Sequence, residues 1–233
     1  MRSTGATVTT TTLGEPVRAF VPHALPPVRP LLAPASYEAG TRAAELALAR
    51  LSGVAGLVPS VQWLLYSAIR KEALLTSQIG GTQATLTDLF DDEAGLAVAN
   101  TDDVEEVSNY LRAFRLVRDN LHKPRGLPIS VRLLCDAHRL LLAGARGAGK
   151  QPGELRRSQN WIGGTRPGNA VFVPPPPERV PDLLADLERF VHDAEPKLPA
   201  LVRVALVHAQ FETIHPFLDG NAMPRAVTPL PEP

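Results

Sequence analysis

The sequence predicts a mainly α-helical protein with one β-hairpin. Apolar residues recur at helical spacing in most of the chain between residues 36 and 213. Residues 153–177 differ in kind, because two short strand-like runs flank a glycine-rich segment there. At 233 residues the chain is long enough to bury a substantial core.

Composition excludes several classes of function. The 24 lysines and arginines equal the 24 aspartates and glutamates, so no net field favours nucleic acid or an anionic membrane. The single cysteine, Cys135, excludes an internal disulfide, and its apolar helical setting favours packing over a nucleophilic role. No run approaches the roughly 18 apolar residues of a membrane span. We therefore expect a soluble, cytoplasmic protein.

The N-terminal region is expected to lack regular structure. Residues 1–16 are rich in threonine, glycine and small side chains, which predicts disorder. Residues 17–27 contain three prolines and are expected to form an extended arm that packs on the helical body.

The first helices have clear limits. A helical pattern starts near Ser36 and is ended by Gly53. A stronger amphipathic helix follows Ser60, a plausible N-cap, and runs to Ile79, where the Gly80-Gly81 pair stops it. A third helix opens at Asp102, with acids in its first turn. A fourth begins at Ser130 and ends at the glycines near residue 147.

The second half contains the hairpin and two further helices. Strand-like runs at Arg156–Ile162 and Ala170–Val173 predict a hairpin with a long tip, and a stiff run of four prolines follows. Helices are predicted at Val180–His192 and Pro199–Thr213, and the second leads directly into His215. No internal repeat is evident.

The most informative stretch is His-Pro-Phe-Leu-Asp-Gly-Asn at residues 215–221. His215 is able to deprotonate a hydroxyl, Asp219 to hold Mg²⁺, and Gly220 and Asn221 to present donors to phosphate oxygens. Each residue has an ordinary alternative. A histidine after an apolar helix is usually structural, and Asp-Gly-Asn is common in turns.

Residues 215–221 resemble the start of the active-site motif of Fic-domain proteins, His-Pro-Phe-x-Asp/Glu-Gly-Asn-Gly-Arg-x-x-Arg. Three other segments add to the resemblance. The proline-rich arm near Phe20 is similar to the N-terminal region of longer bacterial members, residues 72–82 resemble the inhibitory-helix motif, and residues 153–157 with the hairpin resemble the family's flap. The chain thus resembles Fic (Fido) protein adenylyltransferases with an N-terminal inhibitory helix.

This resemblance implies a specific reaction, the transfer of AMP from ATP to a Ser, Thr or Tyr hydroxyl of a target protein. It implies that His215 is the general base, that Asp219 holds Mg²⁺, and that Gly220 and Asn221 contribute to the phosphate cradle. ATP and Mg²⁺ are the implied cofactors. The flap's exposed strand, around residues 169–173, is expected to pair with an extended target segment.

The resemblance also divides the chain. Residues 1–16 are the expected disordered N-terminus, residues 17–100 the arm and inhibitory-helix region, residues 101–221 the Fic-like core, and residues 222–233 an aberrant proline-rich tail. His138 and Trp161 are interpreted as packing residues. Arg156 and Arg157 are interpreted as a solvated or substrate-facing pair, and the tetraproline as a spacer.

One departure from the family pattern concerns the inhibitory motif. Thr76 occupies its first place, but Gly80 stands where the family has a glutamate. Glycine has no carboxylate, so the inhibitory pairing with a motif arginine is predicted to be absent. De-AMPylation, which also uses that glutamate in the family, is disfavoured for the same reason. A helix-ending Gly-Gly pair is the ordinary alternative.

The other departure follows Asn221. The chain has Ala222, Met223 and Ala226 where the family has Gly, Arg and Arg. Prolines at 224, 229, 231 and 233 prevent the helix that follows the motif in the family. We expect an inactive or impaired enzyme, and the abrupt break suggests a reading-frame change that truncates a longer protein. The alternative function is a non-catalytic interaction module that uses the flap or the arm.

Overall fold

The computed structural model describes residues 4–28, 31–79, 81–144, 148–193 and 198–221. In these residues the chain forms seven α-helices and one two-stranded antiparallel sheet, which confirms the predicted mainly helical fold. Gly80 and the tail at residues 222–233 lie outside the described residues. The helices are α1 (Glu38–Ala55), α2 (Val61–Ile79), α3 (Leu86–Glu93), α4 (Thr101–His122), α5 (Val131–Leu141), α6 (Val180–His192) and α7 (Ala200–Ile214).

The sheet lies near the N-terminus, which corrects the predicted disorder of residues 1–16 over the part that the structure describes, residues 4–16. Strand β1 (Gly5–Thr12) pairs with β2 (Glu15–Pro22), from Gly5 opposite Pro22 to Thr12 opposite Glu15. The two-residue turn has positive φ at Leu13 (51°) and Gly14 (81°), which is typical of tight hairpin turns. The run of threonines was interpreted from the sequence as polar and unstructured. Threonine is β-branched, however, and favours strands.

The predicted flap hairpin is largely irregular. Within residues 153–177 the structure has one isolated bridge, in which the Ile162 N–H donates to the Phe172 carbonyl at 2.8 Å. Strand pairing cannot continue past Val173 because the following prolines have no N–H to donate. Instead β2 continues the pairing, since the Phe20 N–H donates to the Val173 carbonyl at 2.8 Å. The expected packing of the arm on the body is therefore observed, in the form of a strand.

Helices α2 and α5 begin at the serines named in the sequence analysis. The Ser60 hydroxyl accepts a hydrogen bond from the Trp63 N–H at 3.2 Å, and the Ser130 hydroxyl accepts one from the Leu133 N–H at 3.3 Å. Helix α3 was not predicted, because its eight residues contain four acids and too few turns for a clear apolar period. Its signal was a capping box between Thr85 and Asp88.

Three apolar clusters support the site. The first joins β2, α6 and α7 and includes Phe217 of the motif. The second joins α2, α3 and α4, and the third joins α4 and α5. Cys135 packs at the edge of the first cluster, and burial raises the pKa of its thiol, as expected for a packing residue. Within the described residues, no helix combines the length and apolar character that crossing a membrane requires.

Candidate active site

His215 lies at the C-terminal end of α7 in a left-handed conformation, with φ 50° and ψ 63°. Its N–H donates to the Phe211 carbonyl at 2.9 Å, which completes the last turn. Pro216 then prevents the helix from continuing, since proline disfavours helical geometry in the residue before it. A left-handed non-glycine residue costs about 1–3 kcal/mol and persists only where its surroundings hold it. The residues around His215 must therefore hold it in this left-handed conformation.

Arg156 holds much of this turn in place, which corrects its interpretation as a solvated or substrate-facing residue. Its side chain is buried, and only 2% of the residue is exposed. Nε donates to the His215 carbonyl at 2.8 Å, while Nη2 donates to the carbonyls of Ile214 at 3.3 Å and Pro175 at 2.5 Å. The Arg156 N–H also donates to the Pro216 carbonyl at 2.9 Å. Arg157, by contrast, is exposed and pairs with Glu154.

The environment of His215 favours its neutral form. Burial lowers the pKa of the imidazole, and the nearby positive charge of Arg156 lowers it further. The backbone of Glu212 and the carboxylate of Asp219 act in the opposite direction but do not prevail. The buried Nδ1 makes no hydrogen bond of standard geometry to any described residue. At neutral pH the ring is therefore unprotonated and able to accept a proton.

Asn221 closes the motif loop on itself. Its Oδ1 accepts a hydrogen bond from the Phe217 N–H at 2.8 Å, and its Nδ2 donates to the Phe217 carbonyl at 2.9 Å. Asn160 donates to the same carbonyl at 2.9 Å. Only 4% of Asn221 and 1% of Phe217 is exposed. The side-chain amide of Asn221 thus holds the loop together, where the sequence suggested a donor to phosphate.

His138, interpreted from sequence as a packing residue, also makes directed hydrogen bonds. It is fully buried on α5, and its Nδ1 accepts a hydrogen bond from the Gly153 N–H at 2.9 Å. Nε2 therefore carries the hydrogen and donates to the Asp219 carbonyl at 3.0 Å. Burial lowers the pKa of this imidazole, which keeps it neutral. The sequence signal was a polar residue at an inward position of an apolar helix.

The Asp219 carboxylate is the exposed acid of the loop. Its Oδ1 accepts a hydrogen bond from the Gly220 N–H at 2.8 Å, and its Oδ2 lies 3.7 Å from the Lys150 ammonium. Gly220 has φ 69°, and a Cβ there would lie 3.1 Å from Leu141 and 3.2 Å from His138. No cluster of three or more His, Cys, Asp or Glu residues suited to a metal occurs in the described part of the chain.

Family models match two parts of the sequence. The Fic/DOC family N-terminal model matches residues 39–119, and the Fic/DOC family model matches residues 128–223, which include the whole 215–221 loop. This chain belongs to the Fic/DOC family. The predicted resemblance is confirmed, and three of the four segments that carried it, residues 72–82, the flap and the 215–221 loop, lie within the matched ranges.

A curated relative of this Fic/DOC chain is the protein adenylyltransferase fic-1 of Caenorhabditis briggsae. It is 28% identical over 149 residues, which are 63% of this chain and 26% of the relative. The chain therefore spans about a quarter of that protein's length.

Solved Fic structures share the fold. A Fic family protein from Desulfovibrio desulfuricans G20 has a TM-score of 0.58 and 26% identity, over 78% of this chain and 52% of its own. A Fic domain containing signaling protein from Bacteroides thetaiotaomicron VPI-5482 has a TM-score of 0.63 and 20% identity, over 76% and 68%. Fic-1 (residues 134–508) from C. elegans has a TM-score of 0.58 and 21% identity, over 77% and 50%.

The flap of this Fic/DOC chain is held by the N-terminal hairpin. The Glu15 carboxylate pairs with Arg166 and accepts a hydrogen bond from the Gly168 N–H at 3.1 Å. The Val173 carbonyl already accepts from Phe20, so that point of the predicted target-docking edge is occupied by the chain itself. Val171, which is 86% exposed, remains accessible on the flap.

Proposed function

We propose that this chain carries a Fic-type nucleotidyl-transfer site, which moves AMP from ATP to a Ser, Thr or Tyr hydroxyl of a target protein. The observation that carries the proposal is the neutral, half-buried imidazole of His215, held in a left-handed turn beside the Asp219–Asn221 loop. Family membership and the adenylyltransferase name of the nematode relative support this reaction class.

In this proposal His215 acts as the general base. The target hydroxyl oxygen attacks the α-phosphorus of ATP, and its proton passes to the neutral imidazole. The bond from the α-phosphorus to the bridging oxygen breaks, and pyrophosphate leaves with the electron pair. The lowered pKa of His215 suits this role, because the ring accepts a proton only while it is neutral.

The loop also fits a divalent cation and phosphate. Mg²⁺ is usually bound by one or two carboxylates together with substrate phosphates and water, and the exposed Asp219 supplies one carboxylate. When bound, the ion would neutralise charge on the phosphates. We assign the phosphate cradle to the backbone around Gly220 and Asn221, since the side-chain amide of Asn221 is bonded to Phe217.

We also propose that transfer by this chain is impaired. Met223 stands where the motif has an arginine, so one charged phosphate contact is missing. Such a contact contributes about 1.5–3 kcal/mol, or roughly ten- to a hundredfold in binding or rate. Ala222 and Ala226 replace two further motif residues.

The test is labelling with ATP that carries its label on the α-phosphate, in the presence of Mg²⁺ and a cell lysate. We expect weak, Mg²⁺-dependent protein labelling that His215→Ala abolishes. His23→Ala is the matched control, because the His23 side chain is exposed and lies outside the motif. Absence of label on the lysate and on the chain itself would contradict catalysis.

The second candidate is a non-catalytic protein-interaction module. The contact between the N-terminal hairpin and the flap favours it, because together they present a continuous surface outside the motif loop. Partner binding that needs no nucleotide, persists in His215→Ala and is lost when residues 4–22 are deleted would support this candidate. Binding that requires ATP would support the enzyme.

A further inference from the structure

The contacts of Arg156 extend to residues outside the 215–221 motif. Its guanidinium donates to four backbone carbonyls, those of Ile214, His215, Pro175 and Ser158. Among the described residues no carboxylate lies within ion-pairing distance of it, so the charge is compensated by carbonyl dipoles. Burying a cation in this way is costly unless its donors are satisfied, which indicates a specific structural demand at this point.

Those carbonyls come from three segments, namely the end of α7, the proline run and Ser158 near Arg156 itself. Ile214 and His215 end helix α7, where unpaired carbonyls concentrate partial negative charge, and a cation there is favourable. Pro175 lies in the buried proline run that follows the flap. Gln159 donates to the Pro174 carbonyl at 2.8 Å, so the proline run packs as part of the site and is not a free spacer.

We propose that Arg156 is a positioning residue for His215. The Arg156 guanidinium holds the end of α7 and the left-handed turn in which the imidazole of His215 faces the motif loop. The proposal rests on the proposed role of His215 as general base. Arg156 touches no reacting atom and acts through the His215 backbone. The backbone N–H of Arg156 also donates a hydrogen bond to the Pro216 carbonyl, on the other side of the histidine.

The charge of Arg156 adds an electrostatic effect to the geometric one. Burial lowers the pKa of Arg156 to about 10, so the group is still a cation at neutral pH. That cation disfavours protonation of His215, while Asp219 favours it. Glu178 is the carboxylate that acts on Arg156, from the 3-10 turn Pro177–Arg179 that precedes α6. Geometry and charge can therefore be separated by substitution.

The experiment compares Arg156→Lys, Arg156→Gln and the adjacent control Arg157→Gln by NMR, without ATP or a target protein. The Cα and Cβ shifts of His215 report its φ, and the ring signals report its titration. A lysine keeps the charge but cannot span four carbonyls, whereas a glutamine loses both functions. Circular dichroism and thermal unfolding establish which variants are folded.

We expect Arg156→Lys to lose the left-handed shifts of His215 while the pKa of the ring stays below its ordinary value. In Arg156→Gln the shifts are lost and the pKa rises as well. Arg157→Gln is expected to match the wild type in both. If folded Arg156→Gln keeps wild-type shifts at residues 214–217, the proposal is overturned, whatever its melting temperature.

A measurement on the wild-type protein covers the case in which both Arg156 variants unfold. The Arg156 Nε–H is expected to exchange slowly with solvent and to show a hydrogen-bond coupling to the His215 carbonyl carbon. Fast exchange would overturn the proposal. Where the wild type shows AMP transfer, Arg156→Lys should lower kcat about a hundredfold with little change in KM for ATP, as expected for a misplaced base. Absence of transfer in the wild type contradicts only the proposed function.

Discussion

The imidazole of His138 lies parallel to the ring of Phe217, with 3.8 Å between the ring centroids and 7° between the planes. The same imidazole accepts from the Gly153 N–H and donates to the Asp219 carbonyl. One buried, neutral side chain thus connects helix α5, the start of the flap and the motif loop. The position of Asp219 depends on this connection.

Replacing His138 with phenylalanine keeps the ring stacking but removes both hydrogen bonds. The Gly153 N–H and the Asp219 carbonyl then lose their partner, and a buried unsatisfied polar group costs about 1–3 kcal/mol. We expect His138→Phe to lower the free energy of unfolding by that order in a urea titration. His122→Phe, at the exposed end of α4, should change it by less than about 0.5 kcal/mol. Equal stability of the two variants would contradict the assigned hydrogen bonds.

Stability is expected to fall on mild acidification because of the buried His138 and the half-buried His215. Burial lowers the pKa of both His138 and His215 below the ordinary 6.5. The unfolded chain therefore binds more protons than the folded one as the pH falls through 6.5, and the free energy of unfolding decreases until the folded-state pKa values are passed. Urea titrations between pH 5 and 8 measure this slope. The slope should be smaller in His138→Phe, and an unchanged slope in that variant would count against the prediction.

Asn221 and Asn160 are expected to contribute unequally to the motif loop. Asn221→Ala removes both hydrogen bonds to the Phe217 backbone. The buried N–H of Phe217 then loses its partner, at a cost of about 1–3 kcal/mol. Asn160→Ala should cost less, because Asn221 still donates to the Phe217 carbonyl. Thermal unfolding of the two single variants compares them directly. A larger effect of Asn160→Ala would show that the loop is held mainly from the flap.

The N-terminal hairpin is expected to restrain the tip of the flap. Glu15→Ala removes the carboxylate that pairs with Arg166 and the Gly168 N–H. An exposed ion pair contributes about 0.2–1 kcal/mol, so amide exchange at residues 163–172 should rise by about fivefold at most. Exchange in α6 should stay unchanged. Glu45→Ala, on the exposed face of α1, is the control and should leave the flap unaffected.

Local signals in the sequence predicted most of the helices well. Ser60 was predicted as an N-cap because a hydroxyl acceptor before an apolar periodic run satisfies the first free N–H groups of a helix, and a helix was predicted to begin at Ser130. Helix α6 has the predicted bounds, Val180–His192. Helix α3 was missed because two turns rich in acids do not establish a period.

Strand pairing was harder to predict because it depends on partners distant in sequence. The threonines of β1 become a strand through the partner β2, and β2 in turn packs on the first core cluster through Val21. The flap was expected to form a regular hairpin, but its internal pairing is limited to Ile162 with Val171 and Phe172, and it also bonds to Phe20 of the N-terminal hairpin and to Pro216 after α7. Sequence spacing alone does not contain these long-range contacts.

By itself the sequence determined the family, the mainly helical fold and the seven-residue loop that begins at His215, because each depends on contiguous residues or on local periodicity. Only the tertiary structure decided that Arg156 is buried against the carbonyls of Ile214 and His215, and that His138 is bonded to Asp219. A charged or polar side chain in a sequence is ordinarily read as solvated. Its burial becomes favourable only where folding brings enough carbonyls and N–H groups to satisfy it.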